Sequence, residues 1–405
     1  MKVKIIPLIS DIAAPETGRP FIEKVKQKLS EWNVSTSVKN PDFVLFAAIT
    51  GGTENKFKQI YKKYNSPYFI LFNAFNNSLP AATEILSFLN MHNLEGELID
   101  VNNLSKDYFK RRFPLAGKTL GTIGKPSDWL IASTYPDALY KSRFNINVKY
   151  IPIEKAIETF RKIPEKDAEE LSHKLIKKAN HIYGIDVYEI TKAFKFYLAL
   201  KEIIKKHNLD FITVRCFDII NPLKTTGCIA LSMLNNEGVT AGCEADVPAT
   251  ITMEIAKNAS GEIPFMANVS YIKENRNKLL INFAHCTIAT KFVKAFNLRT
   301  HFESGQGVGI EGKFEETPVT IVRLGGKEME KAVVISGISK RSRFSTHRCR
   351  SQLNVEVDKE YKNYFLKSPL GNHHIIIKGN HKEQIEKFLT DMHIELFSPD
   401  QKGRL

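Results

Sequence analysis

What most restricts the fold of this chain is the alternation of short apolar runs with helical patterns across its first third. Runs at 3–9, 43–49, 68–72, 96–101 and 118–123 read as strands, and 19–32, 56–64 and 78–89 carry the helical period. The run at 43–49 is apolar without interruption, as expected of a strand buried on both faces. Strand–helix alternation of this kind predicts a parallel sheet covered by helices on both sides. Ser78 stands where it can cap its helix, with Pro80 in the first turn.

Beyond about residue 150 the pattern changes. Helical periods at 153–161, 167–180 and 187–207 lead to a strand at 211–215, which opens a second α/β unit with helices near 228–234 and 248–257. From Pro264 the chain reads mainly as strands, at 265–271, 279–284, 307–314, 319–324, 332–338 and 352–357. Their spacing and Gly-bearing turns predict a small antiparallel barrel or sandwich. A last strand at 374–378 precedes a helix at 381–392. With 405 residues, 43% of them hydrophobic, the chain has apolar material for more than one core.

The net charge is +14 at pH 7. The lysines alternate with glutamates along helical stretches, which suits solvated faces with i,i+4 pairs, and no nucleic-acid motif accompanies them. A nucleic-acid partner is therefore not expected, and the dense basic run at 340–350 reads as a charged loop between strands. The five cysteines are odd in number and lack CxxC spacing, which argues against a disulfide framework or a zinc ribbon. No apolar stretch reaches membrane-spanning length, and the apolar start is shorter than a secretory signal requires. These features predict a cytoplasmic protein without a membrane partner.

Three constellations carry possible chemistry. Gly242-Cys243-Glu244-Ala245-Asp246-Val247-Pro248 puts two carboxylates where a strand ends and a helix begins, the place where α/β sheets bind ligands. Asp246, just ahead of Val247-Pro248, reads first as a helix N-cap, whereas Glu244 has no capping role. His285 closes an apolar strand. His373 and His374 open the last one, and strand alternation sends them to opposite faces, so at most one faces a pocket. The same alternation turns Cys243 and Cys286 away from any pocket faced by Glu244 and His285. A carboxylate with two separated histidines suits a divalent metal such as Mn²⁺, which polarises a carbonyl while a nearby carboxylate moves a proton. Glu54 lies in a Gly-rich turn after a buried strand, Asn77 at a helix start, and Trp129 in Ser127-Asp128-Trp129; each is a candidate for substrate contact, as is His374.

The wider wording resembles the L-fucose isomerase-like group, in which L-arabinose isomerase is a more distant relative. The resemblance is carried by Arg215-Cys216-Phe217, Asn235-Asn236-Glu237-Gly238, Cys243 to Pro248, Ser260-Gly261-Glu262-Ile263-Pro264 and Ala284-His285-Cys286. It continues through His301-Phe302-Glu303-Ser304-Gly305 and Gly371-Asn372-His373-His374. In the first third, Thr50-Gly51-Gly52-Thr53-Glu54, Asn77 to Ala82 and Gly124 to Ile131 resemble an uncharacterised branch of the group.

The resemblance implies two Rossmann-like or flavodoxin-like parallel-sheet domains, at 1–150 and 151–290, and a C-terminal antiparallel β-barrel at 291–405. It implies a homo-oligomer, trimer or hexamer, acting on a small sugar. The reaction would interconvert an aldose and a ketose, a pentose or deoxyhexose, through an enediol. Glu244 would bind Mn²⁺ and act as acid and base, and His285 and His373 would complete the metal shell. The second catalytic acid should stand within Phe265-Met266-Ala267-Asn268-Val269, but Asn268 occupies its place. An amide offers a carbonyl oxygen to a metal yet carries no proton near neutrality. Asp246 is the substitute at hand. The alternative is a sugar-binding or regulatory relative that has lost the reaction.

Overall fold

The computed structural model describes residues 1–399, which form two compact units. The first comprises Met1–Lys118 with Pro136–Asn147, the second Thr119–Tyr135 with residues 148–399.

In the first unit, β1 (Lys2–Leu8), β2 (Asn33–Ser35), β3 (Phe43–Ala48), β4 (Tyr68–Phe72) and β5 (Gly96–Asp100) form a sheet in the order β2-β1-β3-β4-β5. Every pairing in it is parallel, and the order is that of flavodoxin-like sheets. The uninterrupted apolar run of β3 is explained by what covers it. Phe43, Leu45 and Ala47 pack on one face with Val3, Ile5 and Phe69. Phe46 and Ala48 pack on the other with Ile70, Phe57 and Ile85. Ser78 does not cap its helix. Asn77, with φ of 55°, holds the cap position, and the Ser78 hydroxyl instead accepts from Asn73 N and donates to the Ala48 carbonyl.

The second unit begins with β6 (Thr119–Ile123) and β7 (Asn147–Ile151), followed by the short β8 (Ile182–Tyr183), then β9 (Phe211–Val214) and β10 (Ala241–Cys243). A four-stranded sheet runs β10-β9-β6-β7, with β9 parallel to both β10 and β6. The strand at 118–123 therefore joins this sheet and not the first series. Alternation of strand and helix shows that a strand is buried, but not which sheet it enters. The 21-residue helix Val187–His207 starts at Asp186, whose side chain accepts from Glu189 N.

The remaining strands are β11 (Phe265–Asn275), β12 (Lys278–His285), β13 (Ala295–Arg299), β14 (Gly309–Lys313), β15 (Pro318–Gly325), β16 (Lys331–Lys340), β17 (Ser351–Asp358), β18 (His373–Lys378) and β19 (Glu395–Leu396). Antiparallel pairings run β15-β18-β11-β12-β17-β16, and β16 pairs back to β15, so six strands form a ring of ladders. Buried Ile281, Val355, Ile335, Val322 and Ile376 come from this ring. β13 and β14 stay outside it, in a three-stranded sheet with β8. The expected strand at 307–314 thus exists but serves a different sheet.

Candidate metal centre

β10 ends at Cys243, and the next two residues, Glu244 and Ala245, both take left-handed backbone angles, φ 61° and 52°. Such angles in successive residues with side chains are costly and concentrate at functional sites. Ala245 N donates to Val214 O at 3.0 Å and Asp246 N to Cys243 O at 3.1 Å, which ties the turn to the sheet. Asp246 then caps helix Val247–Ser260, accepting from Ala249 N at 2.8 Å. The expected N-cap is present, but it is half of what Asp246 does.

The other half faces β18. Asp246 Oδ2 lies 2.8 Å from His373 Nδ1, and both side chains are fully buried. A carboxylate only accepts, so Nδ1 donates, and Nε2 is left pointing away from Asp246. There it stands 3.4 Å from Glu244 Oε1 with no hydrogen-bond partner. His285, at the end of β12, brings its Nε2 to 3.8 Å from the same oxygen, while its Nδ1 pairs with Thr287 Oγ1 at 3.0 Å. Trp129 Nε1 donates to Glu244 Oε2 at 2.6 Å, and Ser127 Oγ to the Glu244 carbonyl at 2.8 Å. One ligand atom each from Glu244, His285 and His373 therefore lie within 4.8 Å of one another.

The donor set is one carboxylate oxygen and two imidazole nitrogens, all buried, each oriented by a partner on its far side. That arrangement fits a divalent cation of the Mn²⁺ or Zn²⁺ kind. Burial opposes charge on Glu244, but the imidazoles of His285 and His373 that face it outweigh this, holding the carboxyl well below the usual range. Burial also opposes charge on His373, and its bond to Asp246 together with the facing Glu244 carboxylate reverses this, raising it to about 9.

Strand register explains the company His373 keeps. It pairs with Asn268 of β11, which pairs in turn with Ala284 of β12. Asn268 lines the same cleft as Glu244 and His285, its Oδ1 accepting from Asn372 Nδ2 at 2.6 Å. His374 points to the opposite side, as alternation requires. Its Nδ1 donates to the Asn372 carbonyl, its Nε2 accepts from Tyr364 at 2.8 Å, and its ring packs among Phe283, Tyr364 and Phe365. Burial lowers it to about 3, so it is a neutral core residue. A substrate contact for His374 has no support in this placement.

The cleft, about 420 Å³ including its mouth, is also lined by Phe217, Thr226, His301 and Glu303. Cys243 and Cys286 line it too, against the alternation argument. Period-two alternation ends where the strand ends. Cys243 precedes a left-handed turn and Cys286 follows the last residue of β12, so each shares a side with its neighbour. Glu54 and Asn77 belong to the first unit. Glu54 opens helix Glu54–Ile60, and Asn77 packs so closely on Gly51 that a Cβ there would lie 2.9 Å from it. The turn of Asn76 and Asn77 joins Gly51 at the C-terminal edge of that sheet, through Gly51 N to Asn76 O at 2.8 Å.

No protein-family model matches this chain. It is similar to sulfoquinovose isomerases of Priestia aryabhattai and Priestia megaterium, 25% identical over 171 residues, 41% of this chain and 37% of the relative. It is 24% identical over 275 residues to the sulfoquinovose isomerase of Alkalicoccus urumqiensis, covering 66% of this chain and 56% of the relative. The chain thus spans between about a third and just over half of the curated relatives it matches. No helix among the described residues is long and apolar enough to cross a membrane.

Proposed function

We propose that this protein is a metal-dependent aldose–ketose isomerase acting on a pentose or a deoxyhexose. The observation that carries the reading is the unpartnered, buried Nε2 of His373, aimed with His285 Nε2 at one oxygen of Glu244. The similarity to enzymes named sulfoquinovose isomerase supports the reaction class.

In this reading Glu244, His285 and His373 hold the cation, most simply Mn²⁺. When bound it would act as a Lewis acid on the carbonyl and neighbouring hydroxyl of the open-chain sugar. Phe217 offers an apolar wall, and Thr226 and Asn268 offer hydrogen bonds to hydroxyls. A proton must leave C2 and reach C1, with a matching transfer between the two oxygens.

Glu244 is poorly placed to carry it, since Trp129 holds one oxygen and the other faces the two histidines. Asp246 is locked by its cap, by His373 and by Arg323 at 3.8 Å, all without exposure. Asn268 has no proton to move. The remaining carboxylate lining the cleft among the described residues is Glu303, exposed at its mouth, and we assign it the proton transfer. Trp129 stays a candidate for holding the distal sugar, and a trimer or hexamer remains the expected assembly.

The test is conversion of an aldose panel, sulfoquinovose included, by Mn²⁺-loaded protein in deuterated water, read by NMR. Ketose formation with deuterium at the exchanging carbon is expected, and is to vanish in Glu244→Gln. Metal-loaded protein that converts no sugar of the panel overturns the reading. Sugar-induced thermal stabilisation without conversion would then favour the sugar-binding alternative, which Asn268 supports.

A further inference from the structure

All five cysteines of the chain line the one cleft that holds Glu244 and His285. Four of them are buried and Cys349 is partly exposed, and the proposed sugar chemistry uses none of them. Cys286 interacts with both Cys228 and Cys349, and a separate pair is in direct contact. Cys216 Sγ and Cys243 Sγ lie 3.1 Å apart, and both residues are reduced and buried. They sit at the C-terminal ends of neighbouring parallel strands. Cys243 pairs with Val214 of β9, and Cys216 follows Val214 by two residues.

We propose that Cys216 and Cys243 are an oxidation site for a small hydroperoxide, and that their disulfide withdraws Glu244 from cation binding. One thiol attacks the peroxide, breaking its O–O bond, and becomes a sulfenic acid while the peroxide leaves as water or an alcohol. The second thiol displaces the sulfenic hydroxyl, forming the S–S bond and releasing water. Each sulfur gives up one electron overall, the peroxide takes two, and the two thiol hydrogens end in the released water and alcohol. A dithiol reductant reverses the change by exchange.

A disulfide requires the sulfurs to close to about 2.05 Å, so one side must move by roughly 1 Å. Cys216 is hemmed in, since a Cβ placed on Gly227 would lie only 2.8 Å from its sulfur. The movement therefore falls on Cys243, whose next two residues hold left-handed angles that leave the backbone little slack. Glu244 follows directly, and its oxygen is the point at which His285 and His373 meet. The disulfide stands by itself; only its effect on the cation rests on the reading of Glu244 as a ligand.

The experiment compares full-length protein treated with hydrogen peroxide or with a phosphine reductant. Non-reducing peptide mapping should find the peptides of Cys216 and Cys243 joined, with intact mass lower by two hydrogens and restored by dithiothreitol. Calorimetry with Mn²⁺ should show affinity at least about tenfold weaker in the oxidised form, the scale at which loss of a supporting contact is felt in metal sites. Cys216→Ser should keep the reduced affinity and lose the peroxide effect. Absence of the linked peptide, or a dominant link through Cys228, Cys286 or Cys349, overturns the site, and the wild-type map decides this even if the variant fails to fold. A Cys216–Cys243 link with unchanged Mn²⁺ affinity overturns the coupling to Glu244. If reduced protein binds no Mn²⁺, the metal reading fails while the map still decides the disulfide.

Discussion

Glu244 is held on three sides by residues distant in sequence, and the least conspicuous of them is Trp129. Its ring is half exposed and stands edge-on to Phe217, with centroids 5.1 Å apart, while its Nε1 donates to Glu244 Oε2 at 2.6 Å. Trp129→Phe keeps most of the apolar ring and removes that donor. We expect Mn²⁺ affinity to fall about 10- to 100-fold by calorimetry with the melting temperature nearly unchanged, as for outer partners of metal ligands. An unaltered affinity would show that Trp129 only packs. Glu303→Gln addresses the proton instead. Turnover should fall by about 10²- to 10⁴-fold with Mn²⁺ affinity intact, and Asn268→Asp in that background should restore part of it. At this scale Glu244, His285 and the His373–His374 pair were readable in the chain as candidates, because few residue types bind a divalent cation, and the family resemblance favoured His373. Trp129 was readable as a candidate for substrate contact but not as a partner of Glu244, and Glu303 was not readable as a site group: an exposed Glu has many ordinary uses, and only the fold brings it to the cleft.

Elements set which of these groups meet. Strand alternation predicted that His373 and His374 part company, and they do, because both lie within the regular part of β18. The same rule failed for Cys243 and Cys286, which stand at strand ends where the backbone turns. Helix capping was readable at Asp246, where Val247-Pro248 follows, but the second oxygen of that carboxylate has no local signature. β13 and β14 show how an element carries charge. Asn297 pairs with Glu311 across the ladder and donates to it at 3.0 Å, and Arg299 and Lys313 bond the same carboxylate. Burial raises the Glu311 pKa, and the two cations more than reverse this. The folded value is thus below that of the unfolded chain, near 4.3. The stabilisation is present above that pH and is lost as pH falls through the folded value. Glu311→Gln should cost roughly 1.5–3 kcal/mol near neutrality, measured by denaturant titration, with the difference from wild type closing below about pH 4. A gap that persists in acid would assign the loss to packing.

Over the whole molecule, each unit has its own buried core, and calorimetry should register this. Phe46 is 1% exposed and packs among Phe57, Tyr68 and Ile70 in the first unit. Phe46→Ala should destabilise that unit by about 3–5 kcal/mol and lower one unfolding transition, leaving the Mn²⁺-dependent rise of the other in place. A single transition that shifts as one would show instead that the units unfold together. The sequence by itself determined that the chain is α/β, with an uninterrupted apolar strand at 43–49 and a strand-rich second half, since burial on one face or two is written in local periodicity. It also offered Glu244, His285 and the His373–His374 pair as metal-ligand candidates, and the family resemblance favoured His373 of the pair. Only the tertiary structure decided that the strand at 119–123 joins the second sheet, that six late strands pair in a ring, and that five cysteines share one cleft. Those outcomes depend on pairings between segments far apart in the chain, and local periodicity carries no record of partners.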